Sequence, residues 1–392
     1  MNSGSFQCIC DERGVRALRS PRDPFGAVVT DSETPLGLIL RYRVAGSAWR
    51  DLGTTDPRMT SVADSDGVTY TLACPDGALR VSQTFAPAGQ GLDWTIELTS
   101  TGREPVEIGD LGVCIPVNGI DHEADARATL ERRFLGHRLV CGAGSFGSYI
   151  RAGGAPPFLM LMALPGTHIE YFDRPAGESK ADLFYIHSGR AGGEETRGDW
   201  RLPHTVLALG QGERVEYGFR FAFADSYDAM RDLLYEAGLF DIRAAPGMVI
   251  PEDLSARLSL RTKAEIHALE AEYPEATSIT YLGEPKPDHH VYEIAFRKLG
   301  ENRLTVRHDG GRSMHLEYFV TEPLETLIKK RAGFLVERQQ VRDADKWWDG
   351  VYGTPHWHAN RDPEERKRHA SLDPTREHVW RSYDYPHMFM LY

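Results

Sequence analysis

VTEPLETLIKKRAGFLVERQQVRDADKWWDGVYGTPHWH (Val320–His358) separates two kinds of pattern in this chain. Before it, apolar residues recur mostly at every second position. Within it the period lengthens to three and four. Leu324, Ile328, Ala332 and Leu335 form the apolar stripe of a helix over 322–342. Thr321 is placed to cap that helix, and Pro323 falls in the first turn, where a missing N–H does no harm. Glu322 and Glu325 put negative charge at the positive end of the helix dipole, and Glu325 with Lys329 is an i,i+4 pair. Gly333 costs roughly 1 kcal/mol against alanine inside a helix, which implies a close packing partner. The helix ends before Asp343, and an aromatic loop opens at Lys346.

Upstream, residues 1–243 read as one large antiparallel β-sandwich. Leu38, Leu40, Tyr42 and Val44 alternate with Ile39, Arg41 and Arg43, the period of a strand with one buried face. Similar runs start at Val68, Leu79, Trp94 and Val215, with Gly-containing turns between several of them. Residues 157–164 are continuously apolar between prolines, which suits a strand buried on both faces. A short helix over 225–237 is capped by Asp225 or Ser226 and closed by Gly238. Residues 247–320 read as a small Ig-like β-unit whose last two strands meet at the turn His308–Arg312. Residues 321–392 are a helical segment interrupted by the aromatic loop. The fold class is mainly β.

The net charge of −12 argues against nucleic acid as a partner and gives no attraction to an anionic membrane surface. The basic run Arg361–Arg368 is interleaved with acids and reads as a solvated face. Cys8, Cys10, Cys74, Cys114 and Cys141 are irregularly spaced and read as reduced, mostly buried thiols, which favours a cytoplasmic location. The first residues show no apolar segment of a signal peptide, and no apolar run is long enough to span a bilayer. The apolar ending PHMFMLY leads to the expectation that the natural chain continues past Tyr392.

Trp347, Trp348, Tyr352 and Trp357 lie close together, with Lys346, Asp349, His356 and His358 among them. Sugar rings stack their C–H faces on aromatic rings while their hydroxyls need polar partners, so this cluster is a candidate sugar subsite. The same tryptophans also suit burial at a domain interface. Asp349 follows two apolar rings, where desolvation raises a carboxyl towards the range of a proton donor. Asp384 and Tyr383 are candidates for the same cleft, and Asp384, Glu322, Glu325 and residues past Tyr392 are the candidates for the second of the paired carboxylates that glycosidases use. His356 and His358 alone are too few ligands for a metal, and neither a metal nor an organic cofactor is implied. His289 and His290 follow a turn and are expected to be exposed. The G-x-G-x-x-G match at 142–147 lacks the helix that a dinucleotide site needs, and its glycines read as strand turns.

EIGDLG (Glu107–Gly112), GTHIEYF (Gly166–Phe172), LYEAGLF (Leu234–Phe240), PGMVIP (Pro246–Pro251), LGENRLTV (Leu299–Val306) and TEPLETLIKKRA (Thr321–Ala332) carry a resemblance, as does the stretch from His137 to Phe146. Together they resemble the N-terminal half of a domain-of-unknown-function family described as six-hairpin glycosidase-like. The resemblance implies a supersandwich-like β-domain joined through a linker to an α/α toroid, which the helix at 322–342 would begin. It also implies sugar chemistry. The leading expectation is therefore a glycoside hydrolase-like protein acting on an oligo- or polysaccharide. The alternative is a non-catalytic carbohydrate-binding or assembly module. In either case the β-units are expected to pack against a helical domain or a second subunit.

Overall fold

The computed structural model describes residues 2–3, 6–29, 35–119, 125–174, 181–193 and 200–334. Its first large layer is an eight-stranded antiparallel sheet. The order is Phe134–Leu139, Phe146–Arg151, Phe158–Ala163, Arg214–Ala224, Gly91–Ser100, Leu79–Ala88, Val68–Ala73 and Thr60–Ala63. A six-stranded sheet faces it, running Tyr171–Asp173, Asp182–Ser188, Val106–Ile115, Gly37–Val44 and Arg50–Gly53, with Leu207–Leu209 also paired to 106–115. Alternation explains the layering. Leu38, Leu40 and Tyr42 enter the core, while Ile39, Arg41 and Arg43 face out. Trp94 lies at the centre, stacked on Phe85 at 5.0 Å and flanked by Phe219 and Phe221.

The apolar run at 158–163 is buried at every position. Leu159, Leu161 and Ala163 join the sandwich core. Phe158, Met160 and Met162 pack on the opposite face with Met230 and Leu234 of the helix Tyr227–Glu236. Ser226 caps that helix, its Oγ accepting from Ala229 N at 3.1 Å, and Gly238 takes a left-handed φ of +74° just past the end.

Beyond residue 240 a second core lies between two further sheets. One contains Asp241–Ala245, Ser255–Arg261, His289–Phe296 and Thr277–Lys286. The other pairs Ile266–Ala271, Gly300–His308 and Arg312–Thr321, and it takes in Gly142–Ala143 and His168–Ile169 from the first region. The turn at 308–312 is present, with Gly310 and Gly311 both at positive φ. The glycines at 142 and 144 also have positive φ, and a strand follows them at 146–151.

Several local expectations are corrected. Thr321 does not cap the following helix, because it ends the strand Arg312–Thr321 and pairs with Pro251. The helix Leu324–Phe334 instead has Leu324 N bonded to Asp253 Oδ1 at 3.0 Å. The Glu325–Lys329 pair forms at 2.6 Å. A Cβ at Gly333 would meet no described atom within 4 Å, so no partner crowds it. His289 and His290 are half-buried in a strand, because the ladder with 255–261 takes them in. The hairpin Phe6–Asp11 with Gly14–Arg19 was not anticipated.

One buried ion pair ties the first loop to the eight-stranded sheet. Arg151 and Asp23 have side chains at 1% and 0% exposure. The guanidinium also lies over Phe134 at 4.7 Å and Phe25 at 5.0 Å. Arg151→Ala is expected to cost about 3–5 kcal/mol of unfolding free energy, because it strands the Asp23 carboxylate. Arg151→Met with Asp23→Leu should recover most of that loss in urea denaturation. A loss well under 1 kcal/mol for the single variant would refute the reading.

Candidate functional site

The outer face of the six-stranded sheet gathers groups that can meet a ligand. Tyr185 projects outward from Asp182–Ser188, and its ring meets Tyr171 at 5.5 Å. Tyr171 also meets Trp200 edge-on at 5.2 Å and His204 at 5.9 Å. Beside Tyr185 a cavity of about 250 Å³ is lined by Ile39, Arg41, Asp51, Asp110 and Ala191, among others. Asp110 is not free for chemistry. Its Oδ1 accepts from Arg190 N at 3.0 Å and Ala191 N at 2.9 Å, which pins the 189–193 loop to the sheet.

Glu170 lies beneath this face, between the short strands His168–Ile169 and Tyr171–Asp173. It is buried, and its carboxylate accepts four hydrogen bonds. Oε2 takes Ser188 N at 3.2 Å, Ser188 Oγ at 3.1 Å and Thr205 N at 2.9 Å, while Oε1 takes the Thr205 hydroxyl. Trp200 Nε1 donates to the Glu170 carbonyl at 2.5 Å. Burial pushes the Glu170 carboxyl above its ordinary range, with the bonds from Thr205 and Ser188 opposing.

A carboxylate only accepts, and this sets the direction of every other bond in the network. Thr205 donates to Glu170, so its oxygen accepts from His187 Nδ1–H at 2.7 Å. Neutral His187 then presents its Nε2 lone pair to the Tyr217 hydroxyl at 2.6 Å. Burial holds His187 neutral by lowering it to about 4, and pushes Tyr217 up. On the other branch Ser188 donates to Glu170 and accepts from His204 Nδ1–H at 2.9 Å. His204 is thereby fixed in the tautomer whose Nε2 is the basic atom. Its ring lies flush on the 188–193 turn. A Cβ at Gly192 would sit 2.1 Å from Nδ1 and 2.2 Å from Cε1. The half-buried His204, held by a serine that is itself bonded to the Glu170 carboxylate and set against the Tyr171 ring, has the build of a proton acceptor.

None of the residues favoured from sequence is among these. Asp349, Asp384, Lys346, Trp347, Trp348, Tyr352, His356, Trp357, His358 and Tyr383 are all outside the described residues. The site on the sheet was missed, although GTHIEYF (Gly166–Phe172) was singled out for resemblance and contains Glu170 and Tyr171. Its partners at 187–188 arrive through strand pairing, and those at 200–205 lie on the loop that leads into the paired strand Leu207–Leu209. Among the described residues, no group of three or more His, Cys, Asp or Glu side chains is placed to hold a metal ion.

The fold and this network define a mainly β, double-sandwich protein. The chain belongs to the family of unknown function DUF5695, which matches residues 20–350. By sequence, no curated protein matches it. Among solved structures, one titled a polysaccharide lyase aligns with a TM-score of 0.64 at 18% identity, covering 89% of this chain and 51% of that one. That likeness establishes a shared fold, and this chain spans about half the length of that structure. A galactose mutarotase-like protein from Lactobacillus casei aligns at a TM-score of 0.37 and 10% identity, covering 57% of this chain and 99% of its own. A putative aldose 1-epimerase from Escherichia coli K12 aligns at 0.35 and 12%, covering 57% and 97%.

Gly192→Ala is expected to drive the His204 ring out of its seat. Loss of the Ser188–His204 bond would show in the imidazole nitrogen NMR signals, at a stability cost of about 1–3 kcal/mol. Unchanged signals would contradict the packing.

A pH dependence follows from the buried imidazoles. Burial lowers His187, His308 and His315 each to about 4. Unfolded histidines titrate near about 6.5, so below that pH the unfolded chain binds protons that the folded one refuses. Their stabilisation is complete above about pH 6.5 and is lost as pH falls towards about 4. At about pH 5, unfolding should take up close to three protons from this set. His308→Phe should lower the uptake by one, since among the described residues neither ring nitrogen of His308 has a hydrogen-bond partner. A flat stability profile from about pH 7 to 5 would sink this account.

Proposed function

We propose that this chain is the β-rich part of a carbohydrate-active protein. It binds an acidic polysaccharide on the Tyr171–Tyr185–Trp200 face and takes a proton from it through His204 Nε2. The observation that carries this reading is the Glu170–Ser188–His204 arrangement, which leaves one defined basic nitrogen on a ring that meets Tyr171. The reaction class it favours is β-elimination. In a uronate the proton on C5 is acidified by the adjacent carboxyl group. A base removes it, a C4=C5 double bond forms as the C4–O bond breaks, and the departing sugar oxygen takes up a proton from solvent. The fold shared with a protein titled a polysaccharide lyase is compatible with this reading.

A hydrolytic reading rests on Asp349 and Asp384 as the acid and base, with Lys346, Trp347, Trp348, Tyr352, His356, Trp357, His358 and Tyr383 around the sugar. The concentration of aromatic and ionisable residues in that stretch supports it. Either chemistry fits a cleft with one wall on the sheet and the other on the chain beyond 334, packed against helices of a six-hairpin toroid.

The test is incubation of the full chain with a panel of uronate-containing and neutral polysaccharides, followed by ultraviolet absorbance for unsaturated products and a reducing-end assay. Unsaturated product from a uronate polymer is expected, and His204→Gln should lower kcat by about 100-fold or more. Tyr171→Ala should act mainly on KM. Reducing ends without unsaturation, abolished by Asp349→Asn, would replace elimination with hydrolysis. Full activity in His204→Gln would remove that residue from the chemistry.

A further inference from the structure

The N-terminal hairpin carries a feature that the sugar site does not use. Cys8 and Cys10 lie two apart on the strand Phe6–Asp11, with their sulfurs 3.3 Å apart. None of the five cysteines is in a disulfide, and among their thiols this is the one close sulfur–sulfur contact recorded for the described residues. The local backbone accounts for the approach. Pairing with Gly14–Arg19 shifts register between Ile9 and Cys10, so that Ala17 and Val15 are successive partners and Arg16 is the extra residue. Such a bulge increases the local twist, so the hairpin departs from regular strand geometry at the two cysteines.

We propose that Cys8 and Cys10 are a reversible modification site, which external disulfides of the glutathione class convert to an intrastrand disulfide. The two thiols differ in the way such a reaction requires. Cys8 is 2% exposed, whereas Cys10 is half-buried and within reach of a small reagent. The hydrogen bond from Cys8 lowers Cys10, so Cys10 is the better thiolate, and the same bond together with burial raises Cys8.

The reaction balances. Cys10 thiolate attacks one sulfur of the external disulfide, forming a mixed disulfide and releasing one thiolate. Cys8 then gives up its proton to solvent and attacks the Cys10 sulfur, which expels the second thiolate. The protein loses two electrons and two protons, and the external disulfide is reduced to two thiols. Contact at 3.3 Å needs only local rotation to reach a bond of about 2.05 Å. Within one strand the Cα atoms at i and i+2 lie near the upper end of the range that disulfides tolerate, so the bond should also be readily reduced.

The test treats the folded, reduced full chain with oxidised glutathione, then blocks remaining thiols and maps the tryptic peptides by mass. The peptide holding Cys8 and Cys10 should lose two hydrogens and take no blocking group, and dithiothreitol should reverse this. Cys74, Cys114 and Cys141 should remain thiols. Cys8→Ser should trap glutathione on Cys10, and Cys10→Ser should leave Cys8 unreacted. An unmodified wild-type peptide, or a persistent glutathione adduct in the wild type, would overturn the proposal. Equal glutathione uptake by Cys8 in the Cys10→Ser variant would also overturn it.

Discussion

A charge removed from water must be met by donors, and buried carboxylates organise much of this fold around that constraint. Each of these acids stands at a joint. Asp23 meets Arg151 and so holds the first long loop to the eight-stranded sheet. Asp182 receives Arg138 and the Tyr149 hydroxyl across the two sheets. Asp241, at the entrance to the second core, receives two nitrogens of Arg231 from the preceding helix. Asp110 and Glu170 are met mainly by backbone amides and hydroxyls, and those two fix the loops that carry the candidate site. Apolar burial makes the sheets stick, but it is non-directional. The acids specify how loops are seated on them.

The apolar part of this logic was legible in the sequence. Alternation located the strands at 37–44, 68–73, 79–88 and 91–100, because each has one face in a core and the other towards solvent. The uninterrupted run at 158–163 correctly signalled a strand covered twice, since the second cover is the helix at 227–236. What pattern reading missed was hydrogen-bonding demand. Thr321 looked like a helix cap, yet the helix begins only at Leu324, beyond the position that a cap at 321 would serve, and Asp253 from a separate turn serves instead. Short strands such as 142–143 and 168–169 were invisible because two residues carry no period.

The candidate site was illegible for a related reason. A catalytic search by sequence rewards local density, and local density pointed to the tryptophan cluster at 347–357. The network under Tyr171 is sparse along the chain. Glu170, Ser188, His204 and Tyr217 are well separated in sequence, and none belongs to a recognisable catalytic motif. Their meeting depends on register. The strand at 182–188 pairs with 171–173 on one side and with 106–115 on the other, and a bulge between Leu111 and Gly112 adjusts that second pairing. A one-residue slip would send His187 and Ser188 to opposite faces from those they occupy.

The loop bearing Trp200, His204 and Thr205 is also held from its far side. Arg201 donates to Glu317 at 2.5 Å and to Glu272, both on strands of the second core region or the turn that follows them. Arg303 bonds Glu317 and the Arg201 carbonyl, each at 2.5 Å. Any one such pair at a partly exposed position contributes little, but here two guanidiniums share carboxylates in a network, which raises both order and worth. The loop that carries the imidazole is therefore held by Glu170 through Thr205 on one side and by Glu272 and Glu317 through Arg201 on the other. A base held in this way loses little entropy on meeting its substrate, which is how a scaffold turns distant anchoring into proximity at the reacting atom. The second sandwich thus belongs to the site's mechanics even though it supplies no side chain to the aromatic face.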